Sequence, residues 1–235
     1  MSIFVTGDIH GTLDIGKLIT YFEGKENLSK DDYLIICGDV AVCGFNADEE
    51  KNTREILRNL PVTTLFCEGN HEYFPSLNSY AIEEWHGGKV HMIEDDIIHL
   101  MRGQIYDIDG LSFLVCGGAY STYTPNRIEE VSWFPEEEIP SEEEYREMWN
   151  NLDAAGNKVD YIITHTGPDE VLEELGFPAE EEASRQTREF QDIADNVDFK
   201  GWYFGHMHVD EDVCDIYHCR YQDIDEIEYE IEYKK

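Results

Sequence analysis

The sequence predicts an α/β protein in which one mixed β-sheet, or a pair of packed sheets, is covered by helices. Three observations carry this reading. Apolar runs rich in β-branched and aromatic residues recur at 3–6, 33–37, 63–67, 113–116, 161–164 and 202–204, each the length of a buried strand. Helix-period segments at 13–22 and 48–60 separate the early runs, which is the alternation that βαβ units produce. In "GQIYDIDGLSFLVCGG", Asp109-Gly110 stands between two strand-like runs; this dipeptide suits a two-residue type I′ turn, so part of the sheet is antiparallel.

The remaining elements follow in order. Residues 120–140, "YSTYTPNRIEEVSWFPEEEIP", form an irregular excursion of a length at which loops are commonly functional. It leads into a helix that begins at Ser141 as N-cap, with Glu144 completing a capping box; excursion and helix together occupy about 120–155. A second irregular stretch, 169–196, contains the solvated "PAEEEA" and ends in the helix-like "SRQTREFQDIADN". Residues 213–221 and the alternating "EIEYEIEY" read as further antiparallel strands. Neither an internal repeat nor a Gly/Ser linker divides the chain, so one domain over 1–235 is expected.

Composition excludes some partners. With 52 acidic against 17 basic residues the formal net charge is −35, which repels nucleic acid and anionic membranes alike; no stable nucleic-acid binding is expected. A salt-adapted surface explains the same acidity. No apolar run approaches the ~20 residues of a membrane helix, and the opening "MSIFVTGDIHG" lacks the basic start of a signal peptide. The six cysteines form no CxxC. They read as reduced thiols of a cytoplasmic protein.

Chemistry-bearing residues cluster after the strand-like runs. After 3–6 comes "GDIHG" with Asp8 and His10; after 33–37, "GDV" with Asp39; after 63–67, "EGNHE" with Asn70, His71 and Glu72; after 161–164, "HTGP" with His165; after 202–204, "GHMH" with His206 and His208. Taken singly, each has a plain reading: a Gly-Asp turn, an Asn helix cap, a hydrogen-bonded histidine at a strand end. Together they put polar clusters at the C-terminal ends of five strands, where α/β sheets hold their ligands. If the chain stays extended, His206 and His208 face the same side. Aspartates with imidazoles and no thiolate suit borderline divalent ions, and the number of donors exceeds what one tetrahedral ion takes. His86, His91, His99 and His218 stand outside the clusters and read as structural or exposed.

The ordered set D-x-H, G-D, G-N-H-E, H and G-H-x-H, running from Gly7 to His208, resembles the calcineurin-like metallophosphoesterase family. The resemblance implies two packed mixed β-sheets flanked by helices, an α/β/β/α sandwich, and a binuclear metal centre. It makes Asp8, His10, Asp39 and His208 ligands of one ion and Asp39, Asn70, His165 and His206 ligands of the other, with Asp39 bridging. Mn²⁺ heads the candidates, with Fe²⁺ and Zn²⁺ as alternatives. It implies a metal-dependent hydrolase in which water shared by ions ~3.5–4 Å apart becomes the nucleophile, and it gives His71 the task of stabilising or protonating the leaving oxygen. Small phosphoesters are the expected substrates. A nuclease or cyclic-nucleotide phosphodiesterase is the alternative enzyme, and an interaction scaffold of the same fold the non-enzyme alternative.

Two departures matter. Where the protein-phosphatase branch has an Asp that supports the histidine and an Arg that holds phosphate, this sequence has Val42 and Cys43; the same arginine is missing for a symmetrical dinucleoside-tetraphosphate hydrolase. The excursion, with "GGAYS", Arg127 and "WFPEEE", resembles an insertion in a group of bacterial and phage metallophosphoesterases and offers Arg127 as a substitute phosphate contact. A salt bridge to Glu129, Glu130 or Glu136 is the plain reading of that arginine. Tyr120, Tyr123 and Trp133 offer walls for an aromatic leaving group or simply pack within the loop.

Overall fold

The computed structural model describes residues 1–121, 128, 129, 131, 133–178, 181 and 183–227. The first half of the chain builds a seven-stranded sheet. Its elements are β1 (Ile3–Thr6), α1 (Gly16–Phe22), β2 (Tyr33–Ile36), α2 (Ala47–Asn59), β3 (Thr63–Phe66), α3 (Phe74–Leu77), β4 (Ile82–Trp85), β5 (Gly88–Glu94) and β6 (Ile97–Leu100). The second half builds a six-stranded sheet from β7 (Gln104–Ile108), β8 (Leu111–Cys116), α4 (Pro135–Glu138), α5 (Glu142–Ala154), β9 (Tyr161–Thr164), α6 (Asp169–Glu174), α7 (Ser184–Asn196), β10 (Gly201–Phe204), β11 (Glu211–Val213) and β12 (Tyr217–Cys219). Finally β13 (Ile224–Glu226) returns to the edge of the first sheet, antiparallel to β1.

The strand orders are β13-β1-β2-β3-β6-β5-β4 and β11-β12-β10-β9-β8-β7. Both sheets are mixed in the same way, with four parallel strands in the middle and antiparallel strands at the edges. Central strands carry apolar side chains on both faces because both faces are covered. One face of each meets the other sheet through Val5, Cys37, Leu65, Val115, Ile163 and Tyr203. The outer face of the first sheet packs Leu34 and Phe66 under Leu18 and Phe22 of α1 and Leu57 of α2. That of the second packs Ile162 and Trp202 under Tyr145 and Met148 of α5 and Phe190 of α7. The layers are helix, sheet, sheet, helix, as expected.

Local expectations meet the structure at particular residues. Ile108 pairs with Leu111 and both turn residues have positive φ, 56° at Asp109 and 81° at Gly110, as a type I′ hairpin requires. The Ser141–Glu144 capping box forms in both directions. By contrast, α1 begins at Gly16, not at residue 13, because His10 and Gly11 take left-handed conformations and Asp14 N–H closes back on Ile9 O (2.9 Å). The stretch 213–221 is not one strand: it turns at Cys214 and Asp215, φ 52° and 58°, and β12 runs parallel to β10 while pairing antiparallel with β11. The hairpin strands β4 and β5 carry no clear apolar alternation and were not legible. Most of "EIEYEIEY" lies outside the described residues. All six cysteines are free thiols. Among the described residues no helix is long and apolar enough to cross a membrane.

Candidate metal centre

The ends of β1, β2, β3, β9 and β10 deliver all the clustered residues to one edge of the sandwich. Four of them stand in the left-handed region: His10 (φ 43°), Asp39 (53°), His206 (65°) and His208 (53°). Such a conformation costs a non-glycine residue about 1–3 kcal/mol and persists only where neighbours enforce it. Here the loops enforce one another. His10 N–H and Ile9 N–H donate to Asp39 O (2.8 and 3.3 Å), His71 N–H donates to Asp39 Oδ1 (2.8 Å), and His206 N–H donates to Asp8 Oδ1 (3.0 Å). A Cβ at Gly69 would overlap the Asp39 carboxylate, and one at Gly205 the Asp8 carboxylate. The two histidines of "GHMH" therefore do not share one side of an extended strand. β10 ends at Phe204, a tight turn follows with Met207 N–H on Gly205 O (2.7 Å), and the two residues approach different neighbours.

Asp39 Oδ2 lies between two imidazoles, 3.4 Å from His10 Nε2 and 3.5 Å from His165 Nε2. Asp8 Oδ2 lies 3.1 Å from His208 Nε2 and 3.9 Å from His10 Nε2. The His206 ring packs 5.0 Å from that of His165. Among the described residues, potential ligand atoms within 4.8 Å of one another form three overlapping groups: Asp8 with His10 and His208, His10 with Asp39 and His71, and Asp8 with Asp39 and His165. His71 thus stands beside His10 and Asp39 at an exposed position, with its ring 5.6 Å from that of His10.

Ring orientations are fixed from behind. His10 Nδ1 lies 2.9 Å from Asp14 Oδ2, and His165 Nδ1 lies 2.6 Å from Cys37 O. Both partners only accept, so each Nδ1 carries a proton and each Nε2 is turned to the cleft, the usual arrangement behind a metal ligand. Asn70 is oriented by direction of donation. Ser121 Oγ donates to the buried Glu138 Oε1 (2.8 Å), so its oxygen accepts from Asn70 Nδ2 (2.8 Å), and Asn70 Oδ1 faces His165 Nε2 (3.0 Å). Glu138 is itself held by Arg102, which donates to the backbone oxygens of Glu137 (2.8 Å) and Ile139 (3.1 Å) and pairs with Glu68.

The electrostatics test whether cations fit here. Asp8 and Asp39 are both buried, and Asp8 Oδ2 has His208 Nε2 3.1 Å away as its nearest charge partner among the described residues. Burial favours protonation of both carboxyls, yet His165 and the hydrogen bonds around them hold both below the usual range. Burial should likewise discharge His10 and His165; the Asp39 and Asp8 carboxylates instead raise both to about 9. His206 is pushed down to about 3 by burial and by His165. Two buried carboxylates that must borrow protons on neighbouring imidazoles form a site short of positive charge, and oxygen and imidazole donors suit divalent ions. The residues fit such ions.

Several contributors were not legible. Asp14, four residues after His10, matches the carboxylate-behind-histidine pattern and was within reach of sequence reasoning. Ser121 and Glu138 lie in the excursion singled out for Arg127, and nothing local marks them as Asn70's support. Tyr221 stacks on His208 (4.7 Å, 17°) and donates to Asp14 Oδ1 (3.1 Å), while Lys17 Nζ donates to Asp8 O (2.9 Å). Glu72, next to His71 in the sequence, turns inward. Its Oε1 accepts from Val40 N–H (2.7 Å), and burial, with Asp39 nearby, raises its carboxyl to about 8. Arg127 and Tyr123 lie outside the described residues. Of the histidines set aside, His91 and His99 form a buried relay to Glu68, with His99 Nε2 2.9 Å from Oε2.

The calcineurin-like phosphoesterase profile matches residues 1–210, a span that contains every cluster described above. The chain belongs to the calcineurin-like phosphoesterase family. It is a metallophosphoesterase, a hydrolase of phosphoesters that depends on divalent metal ions. Solved structures similar to it include the phosphopantetheinyl hydrolase PptH from Mycobacterium tuberculosis, at 14% identity and TM-score 0.49 over 92% of this chain and 87% of that one. TT1561 of Thermus thermophilus is similar at 12% identity and TM-score 0.49, over 87% of this chain and 81% of that one. No curated protein matches the sequence.

Proposed function

We propose that this phosphoesterase hydrolyses small phosphoesters at a pair of divalent ions, with Asp8, His10, Asp39 and His208 around one, Asp39, Asn70, His165 and His206 around the other, and Asp39 shared. The observation that carries the reading is the position of Asp39 Oδ2, 3.4 Å from an imidazole of the first set and 3.5 Å from one of the second. Mn²⁺ is the proposed metal; Fe²⁺ and Zn²⁺ suit the same donors. The cysteines as free thiols agree with a cytoplasmic setting. A net charge of −35 favours small substrates over polyanions.

Divalent ions bound here would polarise the phosphoryl oxygens and generate a nucleophile from water at neutral pH. The chain's own residues do the rest. Asp14 and Cys37 O hold the His10 and His165 rings in place, so little reorganisation accompanies the reaction. His71, exposed beside His10 and Asp39, donates a proton or hydrogen bond to the departing oxygen, and its backbone N–H on Asp39 Oδ1 ties its position to the shared ligand.

The test is a screen of metal-stripped and Mn²⁺-reconstituted protein against phosphomonoesters, phosphodiesters and nucleotides. Hydrolysis is expected only in the reconstituted protein. His71→Ala is expected to lower kcat by about 10²–10⁴-fold on alkyl esters and much less on a p-nitrophenyl ester, whose leaving group needs no proton. Equal losses on both would remove His71 from leaving-group chemistry, and hydrolysis indifferent to metal would overturn the centre.

A further inference from the structure

A cavity of about 340 Å³ opens beside the proposed centre, with His206 and Met207 in its wall. Its size is at the small end of the range for organic ligands, ~300–1,000 Å³. A phosphoester whose phosphorus sits at the histidine cluster has this cavity as its neighbour. Six of the described lining residues are apolar: Leu172, Phe177, Pro178, Ala183, Met207 and Ala119.

Two of its buried polar side chains donate to groups outside it. Thr187 Oγ1 donates to Asp169 Oδ1 (3.0 Å). Gln186, 1% exposed, donates Nε2 to Gly118 O (2.7 Å), which fixes the amide orientation and leaves Oε1 without a partner among the described residues. A lone carbonyl oxygen in an apolar cavity repels an anion. Apart from His206, which belongs to the proposed centre, no ionisable acid or base other than the Tyr120 phenol is found among the described lining residues.

We infer that this cavity receives the alcohol side of the phosphoester, and that this alcohol is an uncharged, largely apolar group of ring size. Such a substrate differs from nucleoside di- and triphosphates, whose further phosphates would need cations that the described wall lacks. Tyr120 then serves as one side of the slot for that group. The inference rests on the proposed centre, which supplies the phosphate end.

Binding of non-hydrolysable probes to the Mn²⁺-loaded protein tests it by calorimetry. Benzylphosphonate is expected to bind at least about ten-fold tighter than methylphosphonate, because a buried ring adds apolar area, and 3-phosphonopropionate should gain nothing over methylphosphonate. Ala183→Trp, which fills the cavity from the start of α7, is expected to bring the benzyl-to-methyl ratio close to one. Phe177→Ala, at a residue 39% exposed and so tolerant of change, should reduce it. A ratio near one in the unaltered protein, a ratio that survives both variants, or tight binding of the carboxylate probe would each overturn the inference. Methylphosphonate binding reports on the centre and the ratio reports on the cavity, so the two failures are read separately.

Discussion

Asp39→Asn lowers kcat/KM by at least about a hundred-fold while the protein remains folded. The lower bound is set by the loss of a partner behind a metal ligand, about 10–100-fold; a ligand shared by both ions affects each of them. The substitution is isosteric, and the amide oxygen it introduces can still accept from His71 N–H, the bond that Asp39 makes at 2.8 Å, so the left-handed turn at φ 53° keeps its anchor. What disappears is the negative charge that Oδ2 presents to His10 and His165. Steady-state kinetics beside a circular dichroism spectrum check this, and retention of most of the activity would show that Asp39 is not the shared ligand.

Withdrawal of the metal lowers the melting temperature by about 5–10 °C. Ions that bind only the folded chain at a hundred times their Kd stabilise it by about 2.7 kcal/mol, and in a protein of this size each kcal/mol moves Tm by about 2–4 °C. The structural reason lies in Asp8 and Asp39, two buried carboxylates in a molecule of net charge −35 whose counter-charges are otherwise the borrowed protons of His10 and His165. Calorimetric scans before chelation, after it and after return of Mn²⁺ check the value. A melting temperature indifferent to all three treatments would mean that the cluster is no ion site.

The fold was legible at most strands buried on both faces, because such strands are continuous apolar runs; β6, equally buried but interrupted by His99, was missed. β1, β2, β3, β9 and β10 announced themselves in this way, and so did the residues at their ends. Strands β4 and β5 did not: Ile82 is exposed at the sheet edge, and Gly88–Glu94 mixes charged and apolar positions. The candidate ligands could be read because each follows a strand directly. Their supports could not, since Ser121 and Glu138 lie some fifty and seventy residues from Asn70, and Tyr221 and Lys17 meet the site only because the backbone after β12 passes Gly7 at the end of β1 and Lys17 of α1 reaches the backbone oxygens of Gly7 and Asp8. Backbone strain was equally hidden. Nothing in "GHMH" reveals that both histidines adopt positive φ, which is why an extended reading of that motif fails although its residues do reach the cleft.

Metal content at saturation tests the two-ion centre most directly. Protein stripped of metal, titrated with Mn²⁺ and freed of excess should hold two ions per chain, and Asp39→Asn should hold fewer than two at the same free Mn²⁺. Saturation of the unaltered protein at one ion, even in excess Mn²⁺, would contradict the shared role of Asp39 and reduce the centre to a single site.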